Sequence, residues 1–374
     1  THILVPALIS AFLACFLSNR ILLLRKNRNN LIHVSGPKLY FGKDAIQHAN
    51  NMHKSDLRKN KTVSNGIKVH PKINITSNRE QNNFCILGTV GAGKSTVFKP
   101  LVKQAIDRGD FAIIYDEKGE YSEAFYNKST IILLAPWDKR SSEWKMNYDV
   151  KTKQDAELLA QCLIPNTNEK DPLWVQGARL LISGMIISLI NKDTQWGWTE
   201  LDQLLKLAPE EMLTILKVHY PIAQSFIQKE SRTSQGFYVK IISNLSWIED
   251  IARAWPTKSK NTFCIKDWVN GKDPKKIIII QAHSQFESIG APLCNAVMSF
   301  ITKQYLAKRD ALYRPTWLFI DEFANLPPNP SIKKWLELAR SNGARSVLCT
   351  QSISQLRNLY GNDETDTLLN LLSN

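Results

Sequence analysis

Residues 84–95 read FCILGTVGAGKS: four apolar residues, then a glycine-rich loop that ends in lysine and serine. Gly88, Gly93, Lys94 and Ser95 occupy every fixed position of the pattern G-x-x-x-x-G-K-[ST], which belongs between a strand and a helix. Its glycines let backbone N–H groups converge on phosphate oxygens, and the following helix directs its positive N-terminal end at the same anion. The stretch therefore predicts a nucleotide site in an α/β fold. The alternative is an accidental match in a glycine-rich turn.

This loop suggests a role for each of its polar side chains. We expect Lys94 to reach the β- and γ-phosphates and the Ser95 hydroxyl to ligate Mg²⁺. ATP and Mg²⁺ are therefore the predicted cofactors. The residues expected to contact the nucleotide form one continuous run: Gly88, Thr89, Val90, Gly91, Ala92, Gly93, Lys94, Ser95 and Thr96.

An acidic motif, WLFIDE, occupies residues 317–322. Four apolar residues ending in two acids are typical of a buried parallel strand that delivers carboxylates to the C-terminal edge of its sheet. Asp321 is predicted to hold Mg²⁺ with Ser95, and Glu322 to orient or deprotonate the attacking water. Such an acidic pair is also common at solvated strand ends. It indicates a nucleotide site only in combination with the motif at residues 88–95. The second acid favours a hydrolase over a small-molecule kinase.

Further short apolar runs predict the other strands of a parallel sheet. They are residues 111–115, 130–134, 276–281 and 346–350. Because helix-compatible segments alternate with them, we expect helices on both faces of the sheet. Gln351 follows the last run, where its side chain could reach a γ-phosphate or the attacking water. Considered alone, it is slightly more typical of a surface glutamine.

Residues 151–262 show apolar spacings of three and four, interrupted by prolines. The pattern predicts an all-helical domain inserted into the sheet domain, with both of its ends returning to the same face. Five tryptophans cluster in this part of the chain. We expect them to pack in the core rather than to stack on nucleic-acid bases, because aromatic residues at helical spacing usually point inward. They are Trp174, Trp196, Trp198, Trp247 and Trp255.

An apolar segment precedes all of these elements. Residues 3–17 are apolar apart from Ser10, and the apolar run resumes at residues 21–24. Together they approach the ~20 residues of a membrane-spanning helix. Arg25, Lys26 and Arg28 place the following chain in the cytoplasm by the positive-inside rule. We therefore predict a transmembrane helix at residues 1–24. A signal peptide and a buried core helix are the alternatives.

The chain of 374 residues is 43% hydrophobic and 22% charged, which excludes a disordered protein, and its formal net charge is +14. Residues 20–79 hold 13 lysines and arginines against two aspartates, a net of +11. Residues 25–79 show little periodicity apart from a short strand predicted at residues 66–69. Residues 25–62 are predicted to be a basic juxtamembrane linker. Anionic lipid near residues 20–79 is the first expected partner. Nucleic acid and a merely solvated linker are the alternatives.

The six cysteines form no C-x-x-C pair and are expected to be reduced thiols.

Together these motifs resemble the coupling-protein ATPases of type IV secretion and conjugation, the TraG/TraD-like group. The resemblance covers nearly the whole chain. Glu117 departs from it, since the family usually has proline after the strand-end Asp116. The family also continues beyond residue 374, so we expect a chain truncated at both ends. The matching segments, besides the apolar N-terminus and residues 88–95, are 116–120 (DEKGE), 321–323 (DEF), 338–345 (LARSNGAR) and 351–361.

The resemblance implies an architecture and two further site residues. A RecA-like P-loop domain would comprise residues 63–150 and 263–374, and the inserted all-helical domain residues 151–262. Such motors form homohexameric rings with ATP at the subunit interfaces. Arg340 matches the family's arginine finger, supplied in trans to a neighbour's γ-phosphate, and Gln351 matches its γ-phosphate sensor. Considered alone, Arg340 is an ordinary cation at a helix end.

The function implied is that of an ATPase motor anchored in the bacterial inner membrane, with its motor domain in the cytoplasm. It would hand single-stranded DNA with attached protein (the relaxosome), or effector proteins, to the components of a secretion channel. One alternative is a double-stranded DNA translocase of the FtsK/HerA type, which would lack the helical insert. The other is a non-hydrolysing membrane receptor, against which the intact Lys94, Asp321, Glu322 and Arg340 argue. The sequence leaves DNA and protein cargo equally open.

Overall fold

The computed structural model describes residue 36 and residues 38–60, 63–165, 172–192, 195–226, 232–257, 261–307 and 314–372. The predicted transmembrane helix at residues 1–24 lies outside these ranges. By its internal contacts the chain divides into two units, residues 1–52 and 53–374.

A helix, α1 (Gly42–Lys59), occupies part of the segment that was expected to lack periodic structure. That expectation is wrong here. The helix has Asp44 in its first turn and Arg58 and Lys59 in its last turn, the arrangement that complements the helix dipole. None of its side chains is fully buried, so the helix needs few apolar residues. Its many asparagine, histidine and lysine residues therefore leave only a weak apolar periodicity in the sequence. The short strand expected at residues 66–69 is confirmed as β1 (Asn65–His70), which pairs with β2 (Ile73–Thr76) in an antiparallel hairpin.

Six parallel strands form the central sheet, and all of the predicted strands are among them. Every residue of the sheet's strands is buried except in the edge strand β3, which is mostly half-buried. Burial on both faces explains why these strands are continuous apolar runs. In spatial order the strands are β3 (Phe84–Leu87), β10 (Ala344–Thr350), β9 (Thr316–Ile320), β4 (Phe111–Asp116), β8 (Ile277–Gln281) and β5 (Ile131–Leu134).

Helices cover the two faces of this sheet. In β4, Phe111 and Ile113 join one apolar core, whereas Ala112 and Ile114 join the other. The helices are, in chain order, α2 (Lys94–Asp107), α3 (Glu120–Phe125), α4 (Met146–Asp149), α5 (Lys153–Leu163), α6 (Leu173–Asn191), α7 (Trp198–Leu205), α8 (Pro209–His219), α9 (Arg232–Leu245), α10 (Ile248–Ala254), α11 (Ile265–Val269), α12 (Glu287–Ala307), α13 (Pro330–Leu338), α14 (Ile353–Tyr360) and α15 (Asn362–Leu371). Helix α2 packs on the second core, and α12 and α13 pack on the first.

Helices α5 to α10 lie between two short strands, β6 (Glu143–Trp144) and β7 (Thr262–Phe263), which pair in parallel. The described residues between these strands contain no further strand, so the expected helical insertion is present and its two ends lie side by side. The exact boundaries of a separate domain stay a prediction. Trp196, Trp198 and Trp255 are at most 3% exposed, and their predicted place in the core is confirmed.

Within the described residues, α6 is the one helix that is long and apolar enough to cross a membrane. However, 67% of its most apolar window is buried inside the protein. Helices α5, α8 and α9 pack around it. This burial is typical of a core helix, and it makes α6 weak support for membrane insertion.

A buried ion cluster lies at the N-terminal edge of the sheet, where β4 and β10 begin. The Glu80 carboxylate is fully buried and accepts hydrogen bonds from the Ile67 amide (2.5 Å) and from Arg108 Nη1 (2.6 Å). It also forms an ion pair with Arg345 Nε at 3.0 Å. Arg108 in turn binds Asp110, the residue before β4. The cluster therefore joins the β1–β2 hairpin, the end of α2 and the start of β10.

We expect Glu80→Ala to lower the free energy of unfolding by about 3–5 kcal/mol, because it leaves the buried Arg345 without its carboxylate. Urea denaturation of the purified protein measures this change. Asp107→Ala is the matched control, since it breaks an ion pair with Lys103 in which both side chains are about 60% exposed. The control should cost at most about 1 kcal/mol. Equal losses in the two variants would contradict a structural role for the cluster.

Candidate functional site

The predicted site residues converge at the C-terminal edge of the sheet. Strands β3, β10, β9 and β4 are parallel neighbours, so the residues that follow them share one edge. The glycine-rich loop follows β3, Gln351 follows β10, and Asp321 and Glu322 follow β9. The fold therefore places side by side groups that are more than 200 positions apart in sequence.

The glycine-rich loop connects β3 to helix α2, which begins at Lys94. Gly91 and Gly93 have φ values of 77° and 85°, in the left-handed region that glycine adopts without strain. The Gly88 amide donates to the Thr350 carbonyl at 3.3 Å and thereby ties the loop to strand β10. The Lys94 ammonium group donates to the Gly88 carbonyl at 2.6 Å. The loop thus curls around a cation at the start of a 14-residue helix, an arrangement suited to binding an anion.

The rest of the run lies on or near the surface. Thr89, Val90, Ala92 and Thr96 are exposed, and Ser95 is half-buried at the first turn of α2. Val90 is 82% exposed. The loop is therefore open to a ligand, and its conformation is set by backbone geometry rather than by side-chain packing.

Asp321 and Glu322 stand in different environments at the end of β9. Burial raises the pKa of the Asp321 carboxyl group, and the charges of Lys118 and Lys94 counteract that effect. Glu322 is more deeply buried, with 7% of its surface exposed. A cation beside these carboxylates would offset the cost of keeping them charged in a buried place.

Glu322 is a buried site residue whose hydrogen bonding is incomplete among the described residues. Its Oε2 accepts a hydrogen bond from Gln351 Nε2 at 3.0 Å. Its Oε1 is buried and has no hydrogen-bond partner in the described part of the chain. A buried acceptor without a partner costs about 1–3 kcal/mol, so this oxygen is available to a polar ligand such as water. Gln351 is half-buried and points at this carboxylate, so it is not an ordinary surface glutamine.

The donors present suit a cation that is shared with a ligand. In the described residues no group of three or more His, Cys, Asp or Glu side chains could hold a metal. The predicted donors are instead the Ser95 hydroxyl and the Asp321 carboxylate. Mg²⁺ is typically bound through one or two protein groups, several waters and the substrate's phosphates, rather than by a cage of protein ligands. These residues therefore fit a magnesium–nucleotide complex.

A row of hydrogen-bonded side chains that the sequence did not predict lies beside these acids. Ser122 Oγ donates to the Asp116 carboxylate at 2.5 Å and accepts from Gln281 Nε2 at 2.8 Å. Gln281 Oε1 accepts in turn from Trp137 Nε1 at 2.7 Å. Burial raises the pKa of Asp116, and the hydrogen bonds from Ser122 counteract that effect. These hydrogen bonds join the ends of β4 and β8. Its one signal in the sequence was a polar residue at each strand end.

Glu117, which departs from the family pattern, bridges two of the loops at this edge. Its Oε1 accepts a hydrogen bond from Asn325 Nδ2 at 2.6 Å. Asn325 lies shortly after Glu322, whereas Glu117 directly follows β4. Proline at position 117 could not make this contact. The loop after β4 is thus joined to the loop that carries Glu322.

Arg340 is the predicted site residue that the fold keeps away from the others. It lies in a short 3₁₀ turn (Ala339–Asn342) that precedes β10, whereas the glycine-rich loop lies at the opposite edge of the sheet. The seven residues of β10 span about 20 Å between these edges. The Arg340 side chain is exposed and has no hydrogen-bond or ion-pair partner among the described residues.

Comparison with known structures identifies the fold. The chain superposes on the unbound monoclinic form of the bacterial conjugative coupling protein TrwBdeltaN70 with a TM-score of 0.73 and 22% sequence identity, over 91% of this chain and 77% of that one. The plasmid coupling protein TrwB in complex with ADP and Mg²⁺ gives a TM-score of 0.71, at 22% identity, over 87% and 75% of the two chains. The fold is therefore the RecA-like fold of TrwB.

Comparison of sequences identifies the family. The chain is 30% identical over 309 residues to the coupling protein TraD of Escherichia coli (strain K12), which covers 80% of this chain. It spans 42% of the length of TraD. Residues 68–374 match the family described as the type IV secretion-system coupling protein DNA-binding domain. Because that match covers most of the chain and includes the glycine-rich loop, the two acids and Gln351, this protein belongs to the family of type IV secretion-system coupling proteins.

Proposed function

We propose that this chain is the ATPase motor of a coupling protein that delivers substrate to a type IV secretion channel during conjugation. One observation carries the proposal. A buried glutamate, Glu322, accepts one hydrogen bond from Gln351, and its second oxygen has no partner among the described residues, beside the glycine-rich loop. A carboxylate placed in this way can orient an attacking water and accept its proton.

In this proposal the backbone amides of residues 88–96 and the Lys94 ammonium group bind the phosphates of ATP. Ser95 and Asp321 hold Mg²⁺, which when bound would neutralise charge on the phosphate oxygens. The TrwB structures with ADP and Mg²⁺, and with the ATP analogue ADPNP, support this assignment by analogy of fold. Lys94 now donates to the Gly88 carbonyl, and a phosphate oxygen would take over this hydrogen bond.

Glu322 would act as the base that orients the attacking water and accepts its proton. The oxygen without a partner, Oε1, is the natural acceptor, since Oε2 already accepts from Gln351. Gln351 holds the glutamate through its amide nitrogen while its own carbonyl oxygen stays available. The Gln351 side chain could therefore contact the γ-phosphate. Release of that phosphate after hydrolysis would then change the position of the residue that directly follows strand β10.

Arg340 would complete the site of a neighbouring copy in a homohexameric ring. Two features support this role: the exposed Arg340 side chain has no partner in the part of the chain that the structure describes, and it lies about 20 Å from the loop of its own chain across the parallel sheet. A cation placed in this way can reach a γ-phosphate only in another subunit. An arginine finger of this kind contributes about 10³–10⁵ to the rate.

The cargo and the location follow from the family and from the charge distribution. We propose single-stranded DNA with attached relaxosome protein as substrate and secretion-channel components as partners, with effector proteins as the alternative cargo. The helices between β6 and β7 disfavour a translocase of the FtsK/HerA type, which would lack them. We further propose anchoring in the bacterial inner membrane by residues 1–24, cytoplasmic placement of the motor, and attraction of residues 20–79 to anionic lipid.

We expect Lys94→Ala to abolish nucleotide binding, or to weaken it by at least about tenfold, because charge-assisted hydrogen bonds to phosphate contribute about 1.5–3 kcal/mol. Titration of a fluorescent ATP analogue measures the dissociation constant. Lys103→Ala is the control, since this lysine lies on the same helix and, among the described residues, forms its ion pair with Asp107. Unchanged binding in Lys94→Ala would show that the loop is not the nucleotide site.

Glu322→Gln should bind ATP with nearly unchanged affinity and lose about 10²–10⁴ in turnover, since it removes the base. The substitution retains an acceptor for Gln351, so the local structure should persist. Steady-state phosphate release measures the rate, and Glu337→Gln, an exposed acid on α13, is the control. Normal hydrolysis by Glu322→Gln would rule out Glu322 as the base and indicate that another group accepts the proton of the attacking water.

The cargo is tested by the ATPase rate of the full-length protein with and without single-stranded DNA, at about 50 and 200 mM salt. DNA cargo predicts stimulation that falls steeply at the higher salt, because phosphate contacts release counterions. Lys94→Ala controls for contaminating ATPases. An ATPase rate that ignores DNA at both concentrations would favour protein export instead.

A further inference from the structure

The turn that carries Arg340 is tied to helix α12 by two reciprocal hydrogen bonds. The Tyr305 hydroxyl donates to the Asn342 carbonyl at 2.7 Å. The Asn342 side-chain amide donates in return to the Tyr305 carbonyl at 3.1 Å. Tyr305 is 4% exposed, and its ring lies 4.8 Å, between centroids, from the ring of Trp335 in α13. The tyrosine thus contacts the helix before the turn as well as the turn itself.

The other end of the turn has no room for a side chain. Gly343 has a φ of +93°, and a Cβ atom there would come within 2.5 Å of the Arg314 carbonyl oxygen. Its amide donates to the Arg340 carbonyl at 3.0 Å, and its carbonyl accepts from the Thr316 amide at 3.1 Å. The backbone on the C-terminal side is therefore held against the start of β9.

Arg340 combines a backbone held in place with a side chain that has no partner among the described residues. Arg340 extends from this fixed turn into solvent without a partner in the described part of the chain. If the turn served stability alone, its exposed residue could be of any polar type. A fixed backbone lowers the entropy that a side chain loses when it engages a ligand or another subunit.

We propose that Tyr305 and Asn342 are positioning residues for Arg340, which hold its turn in the orientation needed to reach a neighbouring subunit's nucleotide. This inference rests on the proposed in-trans role of Arg340. It assigns to the two residues an effect on turnover that acts through Arg340 and leaves nucleotide binding in their own subunit unchanged. Their hydrogen bonds lie at the edge of the sheet opposite to the glycine-rich loop, so a direct effect on that loop is not expected.

The test compares four variants of the assembled full-length protein: Tyr305→Phe, Asn342→Ala, Arg340→Ala, and Tyr305→Phe combined with Arg340→Ala. Tyr305→Phe removes the hydroxyl and keeps the ring against Trp335. We expect Tyr305→Phe and Asn342→Ala each to lower kcat by about three- to tenfold, the effect of one hydrogen bond, with the KM for ATP unchanged. In the Arg340→Ala background, Tyr305→Phe should have no further effect on the residual single-turnover rate.

Tyr238→Phe is the matched control, because it removes a tyrosine hydroxyl that has no hydrogen-bond partner among the described residues and lies in the helical region. It should turn over like the parent protein. A further loss of rate from Tyr305→Phe in the Arg340→Ala background would overturn the proposal and indicate a general structural role. So would normal turnover by Tyr305→Phe alongside a slow Arg340→Ala variant. Normal turnover by Arg340→Ala itself would instead refute the in-trans role on which the inference rests.

Discussion

The structure depends on the hydrogen bonding of β9 in parallel between β10 and β4. In a sheet built only of parallel strands, every chain direction is the same, so all C-terminal ends meet at one edge. This is what places the glycine-rich loop, the Asp321–Glu322 pair and Gln351 together. The same constraint requires crossovers on both faces, which explains why the strands are apolar throughout and why helices cover both sides.

The helical insertion leaves that arrangement intact because its two ends are held side by side. Strands β6 and β7 pair in parallel, and the buried Asp149 accepts hydrogen bonds from the amides of Ile265 and Lys266 on the returning chain. The buried tryptophans of the helices between them pack in the same apolar core that one face of the sheet lines. The insertion therefore adds a large helical surface without disturbing the strand register on which the site depends.

The opposite edge of the sheet has a different character. There the buried cluster around Glu80 ties the hairpin to β10, and the Tyr305–Asn342 pair fixes the turn before the same strand. Strand β10 consequently connects the Arg340 turn at one end with Gln351 at the other, in one buried stretch of seven residues.

The sequence by itself determined the fold class, the strands of the sheet and the loop, because each is specified by local chemistry: continuous apolar runs, glycines in a fixed pattern, and acids at strand ends. It did not reveal helix α1, whose apolar residues are few among asparagine, histidine and lysine, and it identified Gln351 and Arg340 only through resemblance. Only the tertiary structure decided what Gln351 contacts, that Ser122, Gln281 and Trp137 support Asp116, that Glu117 bonds Asn325, and that Tyr305 holds the Arg340 turn. The physical reason is that these contacts join residues from different strands and helices, whose proximity depends on strand order and register rather than on any local pattern.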